Sequence, residues 1–169
     1  MIGSMPTPRA PDWKGDSDLR SLFLGWWDSL EGRRGDRHEL ERARRLDDVF
    51  RSAGFYRLKA ILEKGGPWAV YDRPLAMVAG VASVIRADLD HGTFGALLSS
   101  LGVGFNEVRR LDRLQDDDRL YRTFRGLVVR AGRRAPITQV ADTLYWWRPR
   151  SPNREFFYDF FRHEEAEVP

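Results

Sequence analysis

The stretch "PLAMVAGVASVI", residues 74–85, decides how this chain folds. From Leu75 to Ile85 almost every side is apolar, Met77, Val78, Val81, Val84 and Ile85 included, so no face is left for water. The run falls well short of the roughly 20 residues needed to span a bilayer. It is expected to be the buried central helix of a folded domain, with Pro74 suited to its first turn after Asp72.

Amphipathic helices are expected on both sides of it. Leu19, Leu22, Phe23, Trp26, Trp27 and Leu30 gather on one helical face, with Asp16 or Ser17 placed to cap its start. "GDRHELERARR" offers Asp36 as an N-cap with Glu39 at the capping-box position. Phe55, Leu58, Ile61 and Leu62 continue the helical period until Gly65-Gly66, where a left-handed end is expected. "DHGTF" breaks the central run, and Thr93 can cap a short helix through Ser100. Asn106 is the expected cap for a helix carrying Val108, Leu111 and Leu114. Asp116, Asp117 and Asp118 suit the N-terminus of the next helix, whose dipole favours acids. Pro136 and Thr138 open another helix, which ends at Trp146-Trp147-Arg148-Pro149. Ser151-Pro152 opens the last, with Phe156, Phe157, Phe160 and Phe161 inward.

No stretch sustains period-2 alternation between hairpin turns, so the expected fold is all-α, a compact bundle of about eight helices. Residues 1–16, rich in Pro and Gly, are expected to form a flexible N-terminal tail. Residues 17–162 then form a single helical domain, and 163–169 a C-terminal tail. Glycines near 65 and 102 are candidate joints between two small lobes, the second falling at residues 100–105.

The chain's 169 residues suit one or two small helical domains. The absence of cysteine excludes disulfides, thiol nucleophiles and Cys-ligated zinc, and fits a reducing cytoplasm. The opening "MIGSMPTPRAPDWKGD" lacks the basic-then-apolar layout of a signal peptide, so a soluble protein with no membrane partner is expected.

Net charge is only +3, but it is unevenly placed. Of 28 basic residues, only Lys14, Lys59 and Lys64 are lysines, a skew that favours forked phosphate contacts over point charges. Eight arginines between Arg119 and Arg150 (119, 122, 125, 130, 133, 134, 148 and 150) face the single acid Asp142, a local balance of +7. Winding residues 119–133 as a helix puts Leu120, Phe124, Leu127, Val128 and Ala131 within an arc of about 100°. Arg119, Arg122, Arg125, Arg130 and Arg133 fall on the opposite side, within about 140°. The stripe holds no acid, whereas residues 31–51 mix seven arginines with six acids. It therefore reads either as a polyanion-binding face or as a solvated one; binding would use phosphates without base readout.

Other chemistry is poorly served. His38, His91 and His163 have no second ligand one helical turn away, so structural or surface roles are expected and no metal or cofactor is called for. Asp112 with Asp116, Asp117 and Asp118 could be imagined as a two-metal nuclease cluster, but a helix-start role is favoured. There is no Walker-type loop and no G-x-S-x-G elbow. The paired tryptophans and the Phe cluster suit core packing, leaving Trp68 as the expected exposed aromatic.

Four blocks in order resemble the CasB family: "WWDSLEGRRGDRHELERARRLDDVFRSAGFYRL", "FGALLSSLGVGFNEVRRLDRLQDDDRLYRTFRGLVVRAG", "PITQVADTLYWW" and "REFFYDFF". CasB is the small subunit of the type I-E CRISPR surveillance complex, Cascade. The resemblance runs from about Trp26 to Phe161. It rests most on Phe55-Tyr56-Arg57-Leu58, on Asn106-Glu107 with Arg109, on the helix from Leu120 to Val128, and on Leu144 through Trp147.

The resemblance implies a non-enzymatic, cytoplasmic, all-α subunit of antiviral defence, present as a pair. Its implied partners are the guide-RNA-carrying Cascade backbone, the large subunit, a second copy of itself, and the displaced and target DNA strands of the R-loop. Base pairing with the guide reads sequence, so such a subunit needs only phosphate contacts. By this resemblance the family's basic positions fall on Arg109, Arg125, Arg148, Arg150 and Arg42. One departure is Gln115, where relatives can carry a basic residue and Arg113 or Arg119 would substitute. The expected binding face is Arg109, Arg122, Arg125, Arg148 and Arg150, with Arg42, Arg130 and Arg133 secondary. The alternative is a purely structural helical scaffold whose arginines meet acidic protein partners.

Overall fold

The computed structural model describes residues 8–166, with side chains through residue 163. The helices are α1 (Ser17–Ser29), α2 (Arg34–Arg42), α3 (Leu46–Val49), α4 (Ala53–Gly65), α5 (Asp72–Ala82), α6 (Phe94–Ser100), α7 (Phe105–Leu111), α8 (Asp117–Arg130), α9 (Ile137–Tyr145) and α10 (Arg154–Ala166). The fold is all-α as expected, and the four-residue α3 is too brief to register as a helical period. Two short strands, β1 (Ala87–Asp88) and β2 (Arg134–Ala135), pair in parallel, Ala87 facing Arg134. Two-residue strands cannot show alternation.

The apolar run lies at the centre. Every residue from Leu75 to Ile85 is buried, and α5 packs against α2, α3, α4, α8 and α9. The Trp27 indole donates to the carbonyls of Ala82 and Ile85, both at 3.1 Å, adding to the Ile85 amide that Ala82 already accepts at the helix end. A Cβ at Gly80 would stand 2.4 Å from the Tyr121 hydroxyl, so only glycine admits that ring onto α5.

The most extensive helix pair is α6 with α10. Its spacing is set by Gly95, where a Cβ would fall 2.5 Å from the Phe156 carbonyl oxygen. Aromatic rings join this pair to the rest. Trp147 meets Phe124 of α8 edge-on at 5.0 Å and Phe156 of α10 at 5.2 Å.

Several caps stand where the sequence placed them. Asp16 accepts from the Asp18 and Leu19 amides, Thr93 from the Ala96 amide, and Asp116 from the Asp118 and Arg119 amides. Others differ, two of them because an arginine takes the side chain. α2 starts at Arg34 after Arg33, and Asp36 lies buried in its first turn, accepting from Arg57 Nε at 2.7 Å. α7 starts after Gly104, not at Asn106, whose oxygen accepts from Arg109 at 2.8 Å. α4 ends with Gly66 extended at φ −177, not left-handed. Glycine is needed there because a Cβ would strike the Trp68 ring at 2.5 Å.

The tail expectation is corrected from residue 8 onward, the remainder of 1–16 lying outside the described residues. Arg9 forms an isolated parallel bridge with Trp68, and Trp13 is fully buried against Phe23 and Tyr145. Trp68 is likewise not the exposed aromatic, since its indole donates to Asp16 Oδ2 at 2.9 Å. At the other end, helix continues beyond residue 162 to Ala166, and residues 167–169 lie outside the described set. The last helix opens at Arg154, after the Ser151-Pro152 corner.

Two glycine substitutions test this packing. Gly95→Ala pushes α6 against α10 backbone and is expected to destabilise by about 1–3 kcal/mol. Gly126→Ala, on α8 with nothing within 4 Å of the added carbon, is expected to stabilise by about 0.5–1 kcal/mol. Urea unfolding of both variants measures the pair.

Candidate nucleic-acid interface

Helix α8 carries the arginine stripe. It buries Leu120, Tyr121, Phe124, Leu127 and Val128 and exposes Arg119, Arg122 and Arg130. Tyr121, absent from the apolar arc drawn on the sequence, is fully buried. Burial pushes its phenol above the ordinary value, against the opposing influence of the Arg125 cation.

Arg125 behaves differently from its neighbours. It is half-buried, and its Nη1 donates to the Ala43 carbonyl and, at 3.1 Å, to the Tyr121 hydroxyl oxygen. Tyr121 itself donates to the Ala43 carbonyl at 2.8 Å. The guanidinium therefore works as a brace between α8 and the end of α2. Arg133 leaves the stripe as well, standing beyond the helix end at φ 61.

The missing acids of the stripe come from elsewhere in the chain. Glu107 of α7 pairs with Arg130 at 3.2 Å, and Glu41 of α2 reaches Arg133 at 3.9 Å. Arg150 grips the buried Asp142 with two nitrogens, at 2.7 and 3.3 Å, and stacks 5.7 Å from the Trp146 ring centre. Arg148 donates to Asp117 at 2.9 Å and to the carbonyls of Leu114 and Gln115. Arg109 is exposed, held by Asn106 and 5.8 Å from the Phe105 ring centre. Arg148 is thus anchored at one end of α8 and Arg130 at the other, about 20 Å apart along the axis.

Three further arginines neighbour the Ala43 junction in the chain. Arg42 and Arg44 flank Ala43, whose carbonyl receives Tyr121 and Arg125, and Arg122 follows Tyr121 on α8. All three are exposed, and among the described residues none has an ion-pair partner. The nearby Asp118 is occupied, accepting from the Leu46 amide at 2.9 Å and pairing with Arg45 at 3.6 Å. Arg44 escaped the sequence reading because residues 31–51 hold nearly balanced charge; only the long-range docking of Ala43 against α8 singles it out.

The aspartates are each used separately. Asp116 caps α8, Asp118 holds α3, and Asp112 accepts from the Ser151 hydroxyl at 2.7 Å. Asp117 lies between Arg73 and Arg148, each at 2.9 Å. Among the described residues no cluster of three or more acids and histidines is arranged to hold a metal. No helix described is long and apolar enough to cross a membrane.

Fold and surface together define a small helical domain with a patch of unpaired arginines on a braced helix junction. A chain of the crystal structure of E. coli Cascade bound to a PAM-containing dsDNA target is similar in fold. The likeness covers 90% of this chain and 99% of that one, with a TM-score of 0.66 and 19% sequence identity. The sequence matches no family model and no curated protein.

Partial burial alone would raise the Asp117 carboxyl, but hydrogen bonds from Arg73 and Arg148 outweigh it and hold the group below its ordinary value. Such a carboxylate stabilises the fold above about pH 3.9 and loses that contribution as pH falls through its depressed folded value. Asp117→Asn is therefore expected to lower Tm at pH 7, with the gap from wild type narrowing as the solution is acidified below that range. Circular dichroism melts across the series measure this, and a constant gap would contradict it.

Proposed function

We propose that this protein is a small, non-enzymatic subunit of a CRISPR Cascade complex, of the CasB kind found in type I-E systems, which holds DNA by its backbone while the R-loop is open. The observation that carries this reading is the end-to-end fold likeness to a chain of a DNA-bound Cascade, covering 90% of one chain and 99% of the other. The ordered sequence blocks resembling CasB support it from an independent direction. In this reading the protein is cytoplasmic and sits beside the guide-RNA-carrying backbone, the large subunit and a second copy of itself.

The phosphate contacts are assigned first to Arg42, Arg44 and Arg122, which have no internal partner, and to the exposed Arg109. Arg125 braces the patch from beneath, contributing field more than contact. Arg130, Arg133, Arg148 and Arg150 reach DNA only by loosening ion pairs they already make, so their contribution is smaller. A surface of this kind binds without reading bases, which suits a partner whose sequence is selected by guide pairing.

The scaffold alternative places acidic protein residues on the same patch, and charge reversal separates the two. Arg42→Glu with Arg122→Glu is expected to leave complex assembly intact while weakening DNA retention; loss of assembly would favour the scaffold. For the isolated protein, fluorescence anisotropy with a random single strand at several salt concentrations is the direct measurement. Replacing Arg42, Arg44 and Arg122 by Ala is expected to flatten the salt dependence by about 0.7 in log–log slope for each lost contact. Arg150→Ala is expected instead to lower Tm, because it leaves the buried Asp142 short of its main partner.

A further inference from the structure

An open cleft of about 440 Å³ lies between the end of α1, the first two turns of α2 and the residue that follows the α5 run, lined by Leu30, Glu31, Arg34, Arg37, His38, Glu41 and Arg86. Arg37 is its unusual member. Its residue is only 8% exposed, its Nε is sealed from solvent without a hydrogen-bond partner, and among the described residues its guanidinium has no carboxylate in ion-pair contact. A sealed guanidinium N–H without an acceptor is unfavourable, and native proteins rarely retain one; the Nη nitrogens of Arg37 are not sealed in this way and are the ones available to the cleft.

The two acids of the cleft do not resolve this. Glu41 is already shared, accepting from Arg86 and lying 3.9 Å from Arg133. Glu31 stands exposed at the rim, without an ion pair among the described residues. Burial depresses the Arg37 guanidinium, the neighbouring Arg86 adds to this, and Glu41 and Glu31 offset it only in part. Arginine nevertheless stays charged at neutral pH. Three guanidinium groups, of Arg34, Arg37 and Arg86, thus line a water-accessible hollow with two carboxylates, Glu41 already engaged and Glu31 out at the rim.

We infer that this cleft is an anion site for a phosphoryl group, with Arg37 as the buried donor, the exposed Arg34 at the rim, and Arg86 joining by exchanging Glu41 for the ligand. The forked geometry of guanidinium suits two oxygens of one phosphoryl group. The site is separate from the patch at Ala43 and does not rest on the Cascade reading. A free phosphate or phosphomonoester and a backbone phosphodiester share the chemistry required.

The test uses the full chain and two probes, inorganic phosphate and the dinucleotide d(TpT), whose single charge is a phosphodiester. Calorimetric titration and Tm are read against chloride at equal ionic strength. Wild type is expected to bind at least one probe and to melt higher in its presence. Arg37→Met keeps most of the side-chain bulk and removes the charge. It is expected to weaken binding about tenfold or more, and to melt higher than wild type without any probe. The control with Arg42 and Arg122 replaced by Ala is expected to keep wild-type affinity for the probe. Binding of phosphate alone identifies a free anion as the occupant; binding of d(TpT) identifies nucleic acid backbone. No binding of either probe by wild type, or undiminished binding by Arg37→Met, overturns the inference.

Discussion

One aromatic ring laid on one glycine holds the centre of this molecule together. Because Gly80 has no side chain, Tyr121 of α8 can press onto the buried helix α5 and still reach the Ala43 carbonyl at the end of α2. Arg125 then closes the junction by donating to both. Three elements distant in sequence are fastened at a single point, and the point is polar on one side and apolar on the other. A tyrosine is suited to that position because it buries a large ring while its hydroxyl keeps a partner.

The same junction separates arginines that build the protein from arginines that face water. Arg125, Arg148 and Arg150 donate to buried or backbone oxygens and so have fixed positions. Arg42, Arg44 and Arg122 are the chain neighbours of the junction residues Ala43 and Tyr121, are exposed and make no such bonds, so their charge is uncompensated from within. A helix face with no acid of its own is therefore not the same as an unpaired face. Glu107 reaches it from α7 and pairs with Arg130, while Glu41 and Asp142 hold Arg133 and Arg150 just beyond it.

How much was legible in the sequence follows from the range of each interaction. The central run Leu75–Ile85 and the caps Asp16, Thr93 and Asp116 depend on residues a few positions away, and they stand where local chemistry put them. Asp36, Asn106 and Trp68 carry the right local signals but are claimed by other partners: Asp36 by Arg57, Trp68 by Asp16, and Asn106 by an arginine one turn on. The same limit applied to the candidate interface. Periodicity located the exposed α8 arginines, but the role of Arg125 and the importance of Arg44 depend on Ala43, about eighty positions away from Arg125 along the chain.

The short parallel pair of β1 and β2 gives the helical scaffold a mechanical property. It ties the end of α5 to the end of α8, with the Arg86 amide bonded to the Arg133 carbonyl at 2.7 Å and the Leu89 amide to the Ala135 carbonyl at 3.2 Å. Fastened here and again at Tyr121, α5 and α8 behave as the two rails of a ladder with rungs at separate heights. Separating α8 from α5 therefore requires breaking two attachments, the Tyr121 contact and the strand pair. The Ala43 junction sits on one of these rungs, so its geometry rests on two attachments of α8 to α5 and not on one.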